Sequence, residues 1–186
     1  MGNVWQRNVW QLWKGEVTDK DCDYIINAGK KAKEEDAKIF ANPEDGNVNV
    51  RKNKVAWIRN DPTIQELQEW FFKEANKNAF GFNADYMPYP QFGTYGKGDF
   101  YDWHYDVNWE QDLAYDRKLS IVIQLSSPEH YEGGDFEFQG GLPQVKGFRE
   151  RGSVLVFPSY LTHRVTKITK GVRHSLVNWM EGPRRR

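Results

Sequence analysis

Residues 119–138, LSIVIQLSSPEHYEGGDFEF, and residues 152–179, GSVLVFPSYLTHRVTKITKGVRHSLVNW, decide the fold. Both consist of short apolar or alternating runs cut by turn signals: Gly133-Gly134, Gly152 and Lys170-Gly171. The runs Lys118–Leu125, Phe136–Phe138, Ser153–Phe157 and Arg173–Trp179 are too short for helices and rich in β-branched and aromatic residues. Tyr89–Tyr95 adds another upstream, and Gly140-Gly141 and Gly147 add further turns. Strands at this spacing predict an antiparallel β-sandwich or barrel. Before about residue 83 the pattern is different. Residues 4–17 are aromatic-rich and read as one or two strands. Thr18 caps a helix whose apolar face is Tyr24, Ile25, Ala28 and Ala32, continuing to about residue 35. Residues 41–54 read as a long loop and Val55–Ile58 as a buried strand. Asp61-Pro62 opens a second helix with Pro at its first position. The expected class is α+β: helical support over about 18–80 and a β core over about 85–180, in a single domain spanning 1–186.

Composition narrows the function. The chain has 186 residues, with 26 basic and 26 acidic side chains and no formal net charge. A protein that tracks phosphates carries a basic excess, so nucleic acid is not an expected partner. Cys22 is the sole cysteine and forms no intrachain disulfide, which favours a reducing, cytoplasmic setting. No apolar run reaches membrane-spanning length, so no membrane association is expected. The chain is 15% aromatic although its mean hydropathy is low, at −0.82. Trp57, Trp70, Phe71, Phe138, Phe157 and Trp179 fall at packing positions, whereas Trp103, Tyr105 and Trp109 flank a motif with chemistry of its own.

That motif is WHYD. In a strand, His104 and Asp106 face one way and Tyr105 the other. His163 follows in LTHRV, on a later strand. Two imidazoles and one carboxylate on a single face are the ligand set of non-haem Fe(II) oxygenases, and they leave positions open for a bidentate cosubstrate and O2. Alone, a His-x-Asp triplet is a frequent coincidence. Arg173 and Ser175 share a strand face, and an inward guanidinium calls for an anion; read in isolation, Arg173 is equally well a surface residue. Tyr95 and Tyr101 bracket a Gly-Lys-Gly turn and either hydroxyl has reach to a cosubstrate. His174 alternates outward, His130 lies in a loop, Glu34-Glu35-Asp36 reads as a solvated helix face, and Arg184-Arg185-Arg186 as a tail.

Taken together, YGKGDFYDWHYD and the two stretches quoted first resemble the 2-oxoglutarate/Fe(II)-dependent dioxygenase superfamily. The likeness is to its prolyl-4-hydroxylase-like branch, which includes PKHD-type hydroxylases. It covers about residues 85–180 well and the earlier chain more loosely. The resemblance implies a double-stranded β-helix, or jelly roll, with His104, Asp106 and His163 holding Fe(II). It implies Arg173 on the distal carboxylate of 2-oxoglutarate and Tyr95 bonded to the same cosubstrate, with Ser175 and Gln124 in lesser cosubstrate-binding roles. It further implies hydroxylation of an unactivated C–H with O2, conversion of 2-oxoglutarate to succinate, and ascorbate as a stimulant. The expected substrate is a prolyl or other amino-acyl side chain of a peptide or protein, or else a free amino acid or small metabolite. Tyr101, Trp103, Trp109 and Arg117 are the expected substrate-groove residues, and 41–54 and 107–117 the expected lids. The readings from other classes are a jelly-roll module that stacks sugars on exposed rings without catalysis and a cupin-like metal protein that does not use 2-oxoglutarate; neither has a use for Arg173.

Overall fold

The computed structural model describes residues 4–6, 9–37, 50–107, 114–140, 142, 144–145 and 147–184. In chain order the elements are β1 (Val4–Gln6), β2 (Gln11–Trp13), α1 (Asp19–Lys31), β3 (Glu34–Asp36), β4 (Arg51–Lys52), β5 (Lys54–Trp57) and α2 (Pro62–Ala75). A π-helical turn at Asn76–Phe80 extends α2. Then come β6 (Gln91–Tyr95), β7 (Phe100–His104), β8 (Tyr115–Gln124), β9 (Tyr131–Gly133), β10 (Phe136–Phe138), β11 (Val154–Pro158), β12 (His163–Val165), β13 (Ile168–Gly171) and β14 (Arg173–Pro183). An eight-stranded sheet runs β1-β2-β11-β8-β14-β6-β5-β3, and a four-stranded sheet runs β10-β12-β7-β4. β9 and β13 form a third, two-stranded piece. The pairings are antiparallel, and helices are few, so the architecture is jelly-roll-like.

Register explains why β8 and β14 read as nearly continuous apolar runs. One cross-strand row of the large sheet is Ala56, Phe92, Leu176, Ile123 and Val154, all packed in the core that also holds α1 and α2 residues. The next row is Trp57, Gln91, Val177, Val122 and Leu155, on the opposite, concave face. A sheet covered on both faces needs apolar residues at odd and even positions alike.

The helices start as the sequence predicts. Thr18 Oγ1 accepts from the Asp21 N–H at 3.2 Å, and Asp61 Oδ1 accepts from the Ile64 N–H at 3.1 Å, with Pro62 in the first turn. α1 ends earlier than its periodicity suggests. Ala32 turns extended, and Glu34-Glu35-Asp36 forms an exposed strand paired with β5 rather than a helix face. Strand pairing satisfies that backbone, which overrides a weak helical preference. Trp70, expected in the core, is 51% exposed, with its ring edge on Phe71. None of the described helices is long and apolar enough to cross a membrane.

α1 faces the sheet through Cys22, Ile25 and Gly29. A Cβ at Gly29 would fall within the Phe92 ring. Gly29→Ala is therefore expected to destabilise the protein by about 1–2 kcal/mol, because overpacking outweighs the helical gain of alanine. A denaturant midpoint equal to or above that of wild type would contradict this packing.

Candidate metal centre

The small sheet brings the three predicted ligands together. β12 and β7 pair antiparallel with His163 directly opposite His104. Asp106 lies two residues beyond the end of β7, where its backbone N–H donates to the Ser159 carbonyl at 2.8 Å. The potential ligand atoms of His104, Asp106 and His163 all lie within 4.8 Å of one another. His104 Nε2 is 3.7 Å from Asp106 Oδ1, and His163 Nε2 is 3.8 Å from Asp106 Oδ2.

Main-chain carbonyls fix both imidazole tautomers. His104 Nδ1 is 2.7 Å from the Asp102 carbonyl, and His163 Nδ1 is 2.8 Å from the Leu161 carbonyl. A carbonyl only accepts, so each Nδ1 carries the proton and each Nε2 presents a lone pair. Ser120 Oγ donates to Asp106 Oδ2 at 2.6 Å and lies 2.9 Å from Ser159 Oγ. Among the described residues no Lys or Arg ion-pairs with the Asp106 carboxylate. Two lone pairs and a nearly buried carboxylate thus converge without a resident cation, and this donor set fits Fe(II). Phe136, Phe138 and Phe157 pack around the His163 ring, and Tyr101 stacks on His104 with centroids 3.4 Å apart.

Burial, followed by the His163 imidazole, pushes the pKa of His104 down to about 3. Burial pushes against the charge on Asp106, but His163, His104, Arg117 and the Ser120 hydroxyl outweigh it and hold that carboxyl at about 2. Burial also depresses His174, to about 4. An imidazole held below its unfolded pKa gives stability that is complete above about 6.5 and is lost as pH falls toward the folded value. Asp106, depressed below its usual 3.8, loses its contribution only below that pH. The metal-free protein is therefore expected to lose stability from pH 6.5 downward, on the order of 2 kcal/mol by pH 5 for His104 alone. A melting temperature flat between pH 7 and 5 would contradict the buried neutral imidazoles.

The cosubstrate expectations fall on the concave face of the large sheet. Arg173 is 1% exposed and lies opposite Tyr95, with its guanidinium 5.6 Å from that ring's centre. Its Nε donates to Gln124 Oε1 at 3.0 Å. Arg117, Arg149, Arg151 and Arg164 each reach a carboxylate, but among the described residues Arg173 reaches none. A buried guanidinium without a counter-ion is costly, and the cosubstrate's carboxylate would satisfy it. The next row is tight. It holds Gly93, Ser175 and Gln124, and a Cβ on Gly93 would press on Ser175 Oγ and the Tyr95 ring. Gln124 acts on Arg173 and has no spare donor, because its amide nitrogen bonds the Ser126 carbonyl and Tyr131 Oη.

The predicted substrate residues separate. Tyr101 lies against His104. Arg117 stacks over Trp179 at 3.6 Å, is paired with Glu181, and donates to the Asp106 carbonyl at 3.5 Å. Trp103 stacks with Arg164 at 4.4 Å and lines a concavity of about 530 Å³ along β10, with Phe136, Phe138 and Phe148. Trp109 lies outside the described residues, as do 41–49 and 108–113 of the expected lids. The remainder of the first lid is partly strand, as β4 and the start of β5. His174 points away from Arg173 as alternation requires, but that face is partly covered, and the half-buried ring stacks on Phe92. Trp57 and Trp179, read as core packing, share the concave face with centroids 6.4 Å apart. The sequence reading also missed Ser120 and Ser159, which hold Asp106. Ser120 had a signal, since it shares its strand parity with Gln124; Ser159 had none.

The family model described as the 2OG-Fe(II) oxygenase superfamily matches residues 90–181. A PKHD-type hydroxylase of Hyphomonas neptunium is 34% identical over 94 residues, covering 50% of this chain and 42% of the relative. The chain spans about half the length of the first curated relatives it matches. Among solved structures, the viral collagen prolyl hydroxylase from Paramecium Bursaria Chlorella virus-1, in its 2-oxoglutarate complex, superposes with a TM-score of 0.70 at 19% identity. That match covers 94% of this chain and 96% of the other. A Trichoplax adhaerens prolyl hydroxylase, in complex with a hypoxia inducible factor peptide fragment, gives 0.73 at 14% identity, covering 93% and 83%. At these identities the structural likeness speaks for the fold, and the sequence matches speak for descent. Residues 90–181 are similar to the 2OG-Fe(II) oxygenase superfamily, a family named for its Fe(II) and 2-oxoglutarate.

Proposed function

We propose that this chain is an Fe(II)- and 2-oxoglutarate-dependent hydroxylase. In this reading His104, Asp106 and His163 hold the metal, and the strands around them form a double-stranded β-helix within one domain. The observation that carries it is the coincidence, on one face of the large sheet, of a His–Asp–His cluster bonded to Ser120 and a buried arginine bonded to Gln124 with no described carboxylate partner. Bound together, iron and 2-oxoglutarate supply the oxidation, in which O2 is consumed, 2-oxoglutarate becomes succinate and CO2, and a substrate C–H becomes C–OH.

The chain's own residues bind, orient and exclude water. The Asp102 and Leu161 carbonyls keep Nε2 of both imidazoles unprotonated, and Ser120 and Ser159 aim the carboxylate. Arg173, held by Gln124 and flanked by Tyr95, takes the distal carboxylate of 2-oxoglutarate. Phe136, Phe138 and Phe157 keep the His163 side dry. The substrate class is a prolyl or other amino-acyl side chain of a peptide or protein. The PKHD-type relatives support hydroxylation, and the peptide bound to the Trichoplax neighbour supports a peptide substrate. The test is anaerobic addition of Fe(II) and 2-oxoglutarate. A visible charge-transfer band that needs both is expected; no band, with no succinate formed from any peptide, would sink the proposal.

A further inference from the structure

Arg51 resembles Arg173 more than it resembles the other arginines near the site. It is half-buried on β4, and its partners are neutral. Nε donates to Asn53 Oδ1 at 2.7 Å and Nη2 to Gln91 Oε1 at 2.9 Å. No carboxylate among the described residues ion-pairs with it, whereas Arg117, Arg149, Arg151 and Arg164 each have one. Among the described residues Nη1 has no hydrogen-bond acceptor.

Its placement is specific. Arg51 pairs across the ladder with Tyr101, and its guanidinium lies 4.4 Å from the centre of that ring. The His104 ring lies 3.4 Å from the same centre and nearly parallel to it. Two groups so close to one centre cannot share a face, so Tyr101 is sandwiched between Arg51 and a proposed iron ligand. Gln91, which holds the guanidinium, is 7% exposed and shares a cross-strand row with Trp57 and Val177 on the concave face. The guanidinium is thus fixed in plane by two carbonyl oxygens and one aromatic face, one ring's thickness from His104. Its uncommitted N–H groups form a planar fork suited to a carboxylate. Arg173 lies two rows further along the same face, beyond the Gly93–Ser175 row.

We infer that Arg51 is the substrate-recognition residue of this site and that it binds a carboxylate on the molecule to be hydroxylated. This rests on the dioxygenase reading and extends it. The site then holds two anions, the cosubstrate on Arg173 and the substrate on Arg51. The carboxylate comes either from a free amino acid or from an acidic residue next to the target in a peptide. A fork-to-carboxylate pair is worth a preference of about tenfold or more over the neutral amide.

The experiment uses the full chain loaded anaerobically with Fe(II) and 2-oxoglutarate, and reads probe affinity by calorimetry and the charge-transfer band. One arm compares the twenty L-amino acids with their carboxamides. The other compares Ac-Glu-Pro-NH2 with Ac-Gln-Pro-NH2. At least one carboxylate probe is expected to bind tenfold or more tighter than its neutral partner, and the arm in which it appears names the source. In Arg51→Gln that preference should vanish, and in Arg51→Lys part of it should return. No preference for any carboxylate over its amide, or a preference that survives Arg51→Gln, would overturn the assignment. If the band fails in the wild-type protein, the dioxygenase reading itself has failed. If it fails only in Arg51→Gln, the wild-type comparison decides.

Discussion

Asp106→Asn is expected to abolish Fe(II) binding while leaving the metal-free protein folded. The carboxylate is nearly buried, faces two imidazole lone pairs, and has no Lys or Arg counter-ion among the described residues. A carboxamide keeps its volume and accepts from the Ser120 hydroxyl, but its NH2 donates toward the imidazole lone pairs and closes the site to a cation. His163, His104, Arg117 and the Ser120 hydroxyl favour the charged form, so its loss costs the metal-free fold some stability, which the retained volume and the Ser120 contact limit. Metal affinity should fall by more than the ~10–100-fold typical of losing a group that merely orients a ligand. Calorimetry with Fe(II), or with Mn(II) as a stable surrogate, reads the affinity, and thermal unfolding reads the fold. Retention of tight metal binding would remove Asp106 from the ligand set, and unfolding would assign it a structural role instead.

Arg173→Met should separate cosubstrate binding from stability in the same way. Arg173 is almost wholly buried, its Nε bonds Gln124, its guanidinium lies by the Tyr95 ring, and its side chain shares the surroundings of Gly134 with Tyr131 and Ile168. Breaking a buried, paired charge costs several kcal/mol, so the affinity for 2-oxoglutarate should drop ~10²-fold or more. Without the cosubstrate, the arginine is a buried charge with no counter-ion among the described residues, and an apolar side chain of similar length relieves that cost. The expected outcome is an unchanged or higher melting temperature without ligand, an unchanged Fe(II) affinity, and no charge-transfer band at 2-oxoglutarate levels that saturate wild type. A silent substitution would favour a cupin-like metal protein or a sugar-binding jelly roll, neither of which needs this residue.

The parts of the site that were legible in the sequence are those set by local geometry. Strand alternation put His104 and Asp106 on one side, and Arg173 on the same side as Ser175. Glycine turns delimited the strands, and Asp61-Pro62 and Thr18 marked both helix starts. What was misread depended on which face of a strand is covered, and by what. Trp179 is buried as its core-like spacing suggests, but its register and that of Trp57 place both rings on the face that carries Arg173. His174 alternates outward onto a face that is partly covered. Trp103, next to a ligand in sequence, turns to the flank with Arg164 because its neighbour points inward.

The sequence by itself determined the donor types, their order along the chain and the jelly-roll-like class, because side-chain chemistry and the two-residue period of a strand are local properties. Only the tertiary structure decided three further things. It brought His163 opposite His104 across a ladder between segments far apart in the chain. It fixed both imidazole tautomers through main-chain carbonyls, which every residue carries and no sequence pattern marks. Among the described residues it also left Arg51 and Arg173 without carboxylates while giving them to neighbouring arginines, since whether a charge is paired is a matter of distance through space.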